Sequence, residues 1–168
     1  MSNVKILSEF RFIISALCGF IFFISCSNDV TTKNDNNDQS EKSIANVISV
    51  SVSGDPRNYQ FAVGIQSPDT GCDQYADWWE VLSEEGSLIY RRILAHSHVN
   101  EQPFVRSGGP VPIAADDVVY VRAHMHPEGY GGAVLKGTVQ DGFEEASVTS
   151  DFALEVETED PQPGDCAF

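Results

Sequence analysis

All four histidines of this chain fall in two His-x-His pairs, His96-Ser97-His98 and His124-Met125-His126. On a strand, residues i and i+2 point to the same side, so each pair would present two imidazoles together. Imidazole suits zinc and copper, and both metals want several nitrogen ligands close together. His96, His98, His124 and His126 are therefore candidate metal ligands, with zinc or copper as the implied cofactor. The competing reading makes them structural or ligand-recognition residues that end strands and bond loop backbone.

A second pattern accompanies the first. Tyr90, Arg92, His96 and His98 share one parity, as do Tyr120, Arg122, His124 and His126. Two regular strands would then carry a Tyr–Arg–His ladder on either side of a central strand, with the two His pairs about 10 Å apart. Arg92 and Arg122, with Tyr75 and Tyr130 nearby, are the candidate ligand-binding residues. No catalytic residue emerges. His98-Val99-Asn100-Glu101 is not H-E-x-x-H, and Ser107-Gly108-Gly109 lacks the Lys-Ser/Thr of a phosphate loop. Asp69, Asp73 and Asp77 are spaced unlike an EF-hand loop. A non-catalytic protein is expected.

The elements that must position these residues are short strands. Ile44 to Gly54 alternates, with Ile48, Val50 and Val52 on one side and serines on the other; Tyr59, Phe61, Val63 and Ile65 form a second run. Tyr75 to His98 reads as a hairpin around Ser83-Glu84-Glu85-Gly86-Ser87. It places Trp79 and Val81 on one face and Trp78 and Leu82 on the other. The Pro- and Gly-rich stretch 99–115 reads as loop with a short edge strand near 111–113. Strands over 118–126 and 133–139 follow, and Phe152, Leu154 and Val156 suggest a last strand within 147–157. No long 3.6-residue apolar period occurs. The expected fold class is all-β, an antiparallel sandwich of about seven strands. With a Trp on its third strand, the pattern over residues 44–157 resembles the immunoglobulin or fibronectin type III architecture, a likeness that implies no activity.

The 168 residues include 25 Asp and Glu against 10 Lys and Arg. Such an acidic chain is poorly suited to neutralising phosphates, so no nucleic-acid partner is expected. The start of the chain reads as targeting. Lys5 and Arg11 precede an apolar run, Phe12 to Ile24, that is shorter than the roughly 20 residues of a membrane span. The run ends in Phe23-Ile24-Ser25-Cys26, which resembles the lipobox of bacterial lipoproteins. That resemblance implies a signal peptide over 1–25, lipidation of Cys26 and attachment to the lipid bilayer of the cell envelope, with Ser27 suiting outer-membrane sorting. An uncleaved anchor helix is the alternative. Residues 26–43 are polar and lack aromatics, so a flexible tether is expected before a domain spanning 44–168.

With Cys18 in the leader and Cys26 lipidated, Cys72 and Cys166 remain in an oxidising compartment. One disulfide pinning the C-terminal tail is the simplest reading; a thiolate metal ligand at Cys72 competes with it. The sequence thus points to a membrane-tethered binding or envelope-structural module with an unidentified protein or glycan ligand. A zinc- or copper-binding protein is the alternative.

Overall fold

A computed structural model describes residues 43–167. The expected leader, Cys26 and all of the tether but its last residue lie outside the described residues. Eight strands occur among those described: β1 (Asn46–Asp55), β2 (Asn58–Gln66), β3 (Tyr75–Ser83), β4 (Leu88–Ile93), β5 (Phe104–Val111), β6 (Val119–His126), β7 (Val134–Thr138) and β8 (Gly142–Ala146). They form two antiparallel sheets, ordered β1-β2-β5 and β4-β3-β6-β7-β8. The chain is all-β and folds as a sandwich.

Alternation explains β2, where Tyr59, Phe61, Val63 and Ile65 are all buried against the opposite sheet. Each such side chain contributes about 1.5–3 kcal/mol relative to leaving it in water. In β1 the expected single register breaks. Val47 pairs with Ile65 and Ser49 with Gly64, so Ile48 is the extra residue of a bulge. Ile48 is consequently 47% exposed, while Val47 joins the core and Val50 and Val52 pack on it.

The interior strand β3 is buried from Tyr75 through Leu82, because both of its faces are covered. Trp79 and Val81 enter the core between the sheets, with Val119, Val121, Ala123 and Met125 of β6 beside them. The β3–β4 turn closes as the sequence suggests, with the Ser83 N–H donating to Ser87 O and Gly86 at φ +92°.

Three segments depart from expectation. The Pro- and Gly-rich stretch is a full strand, β5, at the edge of its sheet. A proline is tolerated at an edge, where its missing N–H removes no ladder bond. Gly108 is needed for space: a Cβ there would stand 2.6 Å from the Tyr90 hydroxyl and 2.9 Å from the Trp79 ring. Next, β8 lies outside the expected strands, since Gly142-Phe143-Glu144-Glu145-Ala146 carries little apolar signal. Its pairing with β7 follows from a tight turn, in which the Asp141 N–H donates to Thr138 Oγ1 at 2.9 Å. Finally, the expected strand within 147–157 is irregular chain and a turn followed by a 3-10 helix, Leu154–Thr158. Val156 is buried there but Leu154 is 44% exposed, so the strand alternation of Phe152, Leu154 and Val156 does not hold.

That C-terminal segment lies across the outer face of the five-stranded sheet as a strap. Leu82 forms a second small core with Ala153 and Val156. A disulfide joins Cys72 to Cys166 across 94 residues, with Cα atoms 5.6 Å apart. In the chain-entropy picture, closing so long a loop restricts the unfolded chain by about 4–5 kcal/mol. A Cys72→Ser, Cys166→Ser double variant should therefore unfold at clearly lower urea, with about 2–5 kcal/mol lost and a steeper slope as the unfolded chain expands. An unchanged midpoint would show that the bond contributes nothing to stability.

Candidate functional site

The outer face of the five-stranded sheet is where charged side chains are buried. Glu80, in the middle of β3, is fully buried. Cross-strand register sets Arg91 of β4 on one side of it and Arg122 of β6 on the other. Arg91 Nε donates to Glu80 Oε2 at 2.8 Å and Arg122 Nε to Oε1 at 2.7 Å. The remaining guanidinium donors go to the strap. Arg91 reaches the carbonyls of Val156 and Glu159, each at 2.6 Å, and Pro161 at 3.2 Å. Arg122 reaches those of Phe152 at 2.7 Å and Ala153 at 2.8 Å. One carboxylate and two arginines thus form a hydrogen-bonded network that holds the C-terminal segment by its backbone.

Beside this network a bulge re-aims β3. Ala76 pairs with Met125 and Trp78 with His124, leaving Asp77 as the extra residue. The bulge turns the Asp77 carboxylate to the outer face, where His124 Nδ1 donates to Oδ1 at 2.6 Å. The His124 ring stacks on Trp78, with centroids 3.7 Å apart at 8°, and meets the Tyr130 ring edge-on at 4.9 Å. Its Nε2 is 3.5 Å from Glu157 Oε1 on the strap. Tyr130, in the β6–β7 turn, lies under the Arg122 guanidinium at 3.6 Å. Burial, and then the Glu80 charge, push the Tyr130 hydroxyl above the ordinary phenol range, so it stays protonated. A cleft of about 810 Å³ opens here, lined in part by Tyr130, Phe152, Glu128, Glu145 and Glu157.

The other histidine pair occupies different ground. β4 ends at Ile93, so His96 and His98 sit in the following loop rather than on a strand. Asp69 ties this loop to the start of β3. Its Oδ1 accepts from Ser67 Oγ at 2.6 Å and from the Ala76 N–H at 3.0 Å, and its Oδ2 accepts from the His98 N–H at 2.7 Å. His98 is buried and stacks on Phe104 at 3.9 Å. Burial, and then the nearby Arg106 and His96, push its imidazole down from 6.5 to about 4, against the opposing pull of Asp69 and Glu101. Neither ring nitrogen has a hydrogen-bond partner. Glu101, at the loop end, pairs with Arg106.

Several expectations are corrected here. The Tyr–Arg–His ladder does not form. Arg92 stands opposite Trp79 and Tyr90 opposite Val81, on the inner face, whereas Arg122 stands opposite Glu80 on the outer face. Arg92 is exposed and donates to Ser107 O and Ile93 O, away from the Glu80 network. Arg91, its neighbour, holds the place on the outer face. The four imidazoles do not make one cluster. His124 is fixed on Asp77, His126 is exposed with Tyr75 at 5.8 Å, and among the described residues no three His, Cys, Asp or Glu side chains group as metal ligands. Cys72 is in a disulfide and not a thiolate ligand. Both indoles, Trp78 and Trp79, are buried.

Sequence reasoning gives no site role to Glu80, Arg91 or Glu157, and considers Asp77 only as a member of a calcium set that does not fit. A signal for the first two was present. A carboxylate flanked by Trp79 and Val81 in an apolar strand requires a counter-charge, and the hairpin register brings Arg91 directly opposite.

No protein-family model and no solved structure matches this chain. It is similar to a protein of Halomicrobium mukohataei described as "Putative lipoprotein", 35% identical over 114 residues. The matched region is 66% of this chain and 56% of that protein, so the match spans little more than half of the relative's length.

Two outcomes follow from the buried charges. Glu80→Ala strands two buried guanidinium groups and should cost about 3–5 kcal/mol, read as a lower denaturant midpoint with earlier proteolysis of the strap. Wild-type stability that survives this change would mean the network is not a structural centre. For His98 the folded pKa lies below the unfolded one, so between about 4 and 6.5 the unfolded chain binds more protons. Its contribution, about 3 kcal/mol, is complete above 6.5 and is lost as pH falls through that window to about 4. Unfolding free energies measured from pH 7 to 4 in EDTA should fall more steeply for wild type than for His98→Phe. Parallel profiles would contradict it.

Proposed function

We propose that this chain is an exported lipoprotein, lipidated at Cys26 and held to the bilayer of the cell envelope by that anchor. On this reading residues 1–25 are a signal peptide, residues 26–43 a tether, and the sandwich a non-catalytic binding or structural module displayed beyond the membrane. The observation that carries it is the leader itself. A basic start, an apolar run too short for a comfortable span, and Phe23-Ile24-Ser25-Cys26 occur in that order. The similarity to a protein described as a lipoprotein supports the same reading independently. The Cys72–Cys166 disulfide fits an oxidising compartment.

The finer likeness to an immunoglobulin or fibronectin type III domain belongs to this proposal. In its favour, the first, second and fifth strands share one sheet and the third, sixth and seventh the other, with the fourth beside the third. This corresponds to an ABE and CFG division with an extra strand next to C. Trp79, buried in the core from the third strand, agrees with it. The surface best suited to a protein or glycan ligand is the cleft around Tyr130 and Phe152, where aromatic rings adjoin the carboxylates of Glu128, Glu145 and Glu157.

Growth of expressing cells with labelled palmitate tests the anchor. Wild-type protein should carry the label and sediment with membranes. Cys26→Ala should lose the label and shift to a soluble or unprocessed form. Unlabelled wild-type protein, or membrane attachment indifferent to Cys26→Ala, would replace the lipid by an uncleaved anchor helix.

A further inference from the structure

The loop after β4 contains a small open cavity of about 200 Å³, lined by His96, Ser97, His98, Val99, Asn100 and Glu101. Three features of its wall are unusual for a plain loop. First, His98 is buried, yet both of its ring nitrogens lack a hydrogen-bond partner. Buried polar groups are almost always paired, and an exception calls for an explanation such as an ion. Second, a carboxylate stands behind it. Asp69 is buried, and its ion-pairing neighbour among the described residues is His98, whose Nδ1 lies 3.8 Å from Asp69 Oδ2. A histidine that binds a metal through one nitrogen commonly donates the other N–H to a carboxylate, which fixes the ring. Third, the exposed His96 ring is already close, with centroids 4.6 Å apart and planes at 36°. That separation is compatible with one nitrogen from each ring at about 2.0–2.1 Å from a shared ion.

We propose that His96 and His98 bind a divalent transition-metal ion of the zinc and copper(II) kind. His98 contributes Nε2 with the Asp69 carboxylate 3.8 Å from its Nδ1, His96 swings in from solvent, and water completes the shell. The Arg106 charge nearby is paired with Glu101, which limits its repulsion of the cation. The site uses half of the histidines. His124 is excluded because Asp77, Trp78, Tyr130 and Glu157 already surround it. Hard cations such as calcium are disfavoured, since they select oxygen ligands. The proposal stands apart from the lipid anchor, and a Cys26→Ala protein retains the site.

Full-length protein, purified in detergent and stripped with EDTA, would be titrated at pH 7.5 with zinc sulfate by calorimetry. A parallel copper(II) sample would be read by electron paramagnetic resonance for nitrogen couplings. The expected result is about one equivalent of ion with imidazole coupling. His96→Ala should weaken binding at least tenfold, and Asp69→Asn about 10–100-fold, whereas His126→Ala should leave it unchanged. His96 is exposed, so its variant tests the site even if His98→Ala does not fold. Wild-type protein that binds neither ion at 100 μM, or a His96→Ala variant with wild-type affinity, would overturn the proposal.

Discussion

A carboxylate in the middle of β3, an interior strand of the larger sheet, sets the terms for one side of this molecule. Glu80 has no access to water, and an ionised group taken out of water needs both opposite charge and hydrogen bonds. The antiparallel register supplies Arg91 from one neighbouring strand and Arg122 from the other. Two guanidinium groups bring more donors than one carboxylate can accept. The surplus is met by carbonyls at residues 152–161. A β-ladder would have engaged those carbonyls with another strand, so the last segment crosses the sheet as a strap.

The same requirement explains why β3 is buried on both faces. One face closes the sandwich core around Trp79 and Val81. The other is roofed by the strap, with Leu82, Ala153 and Val156 packed together beneath it. Gly86 completes the fit at the hairpin turn, since a Cβ at that position would stand 2.9 Å from the Ala153 methyl. The disulfide from Cys72 to Cys166 ties the far end of the tail to the loop that leads into β3.

The start of β3 is also where the two histidine pairs are anchored, each by its own aspartate. Asp77 takes the imidazole of His124, and Asp69 takes the backbone N–H of His98. The resemblance between the two His-x-His motifs ends there. One imidazole is enclosed by aromatic rings and spanned by carboxylates; the other lies against Phe104 with nitrogens unpaired and a cavity beside it. Identical sequence spacing yields different chemistry because one pair is on a strand and the other on a loop.

The sequence alone carried the all-β class, most of the strands and the cysteine pair, and it offered an expected export leader that lies outside the described residues. Each rests on a local or countable signal: an apolar run before a cysteine, alternation with period two, turn residues, or parity in an oxidising setting. The tertiary structure decided which histidines meet, which arginine faces Glu80 and what becomes of the C-terminus. Parity counting assumed unbroken strands. The bulges at Ile48 and Asp77, and the end of β4 at Ile93, each shift which side chains face together. Such breaks depend on what lies across the sheet, and so do the Arg91 and Arg122 contacts with carbonyls some thirty to seventy residues away. Non-local contacts of that kind leave no periodic trace in the residues that make them.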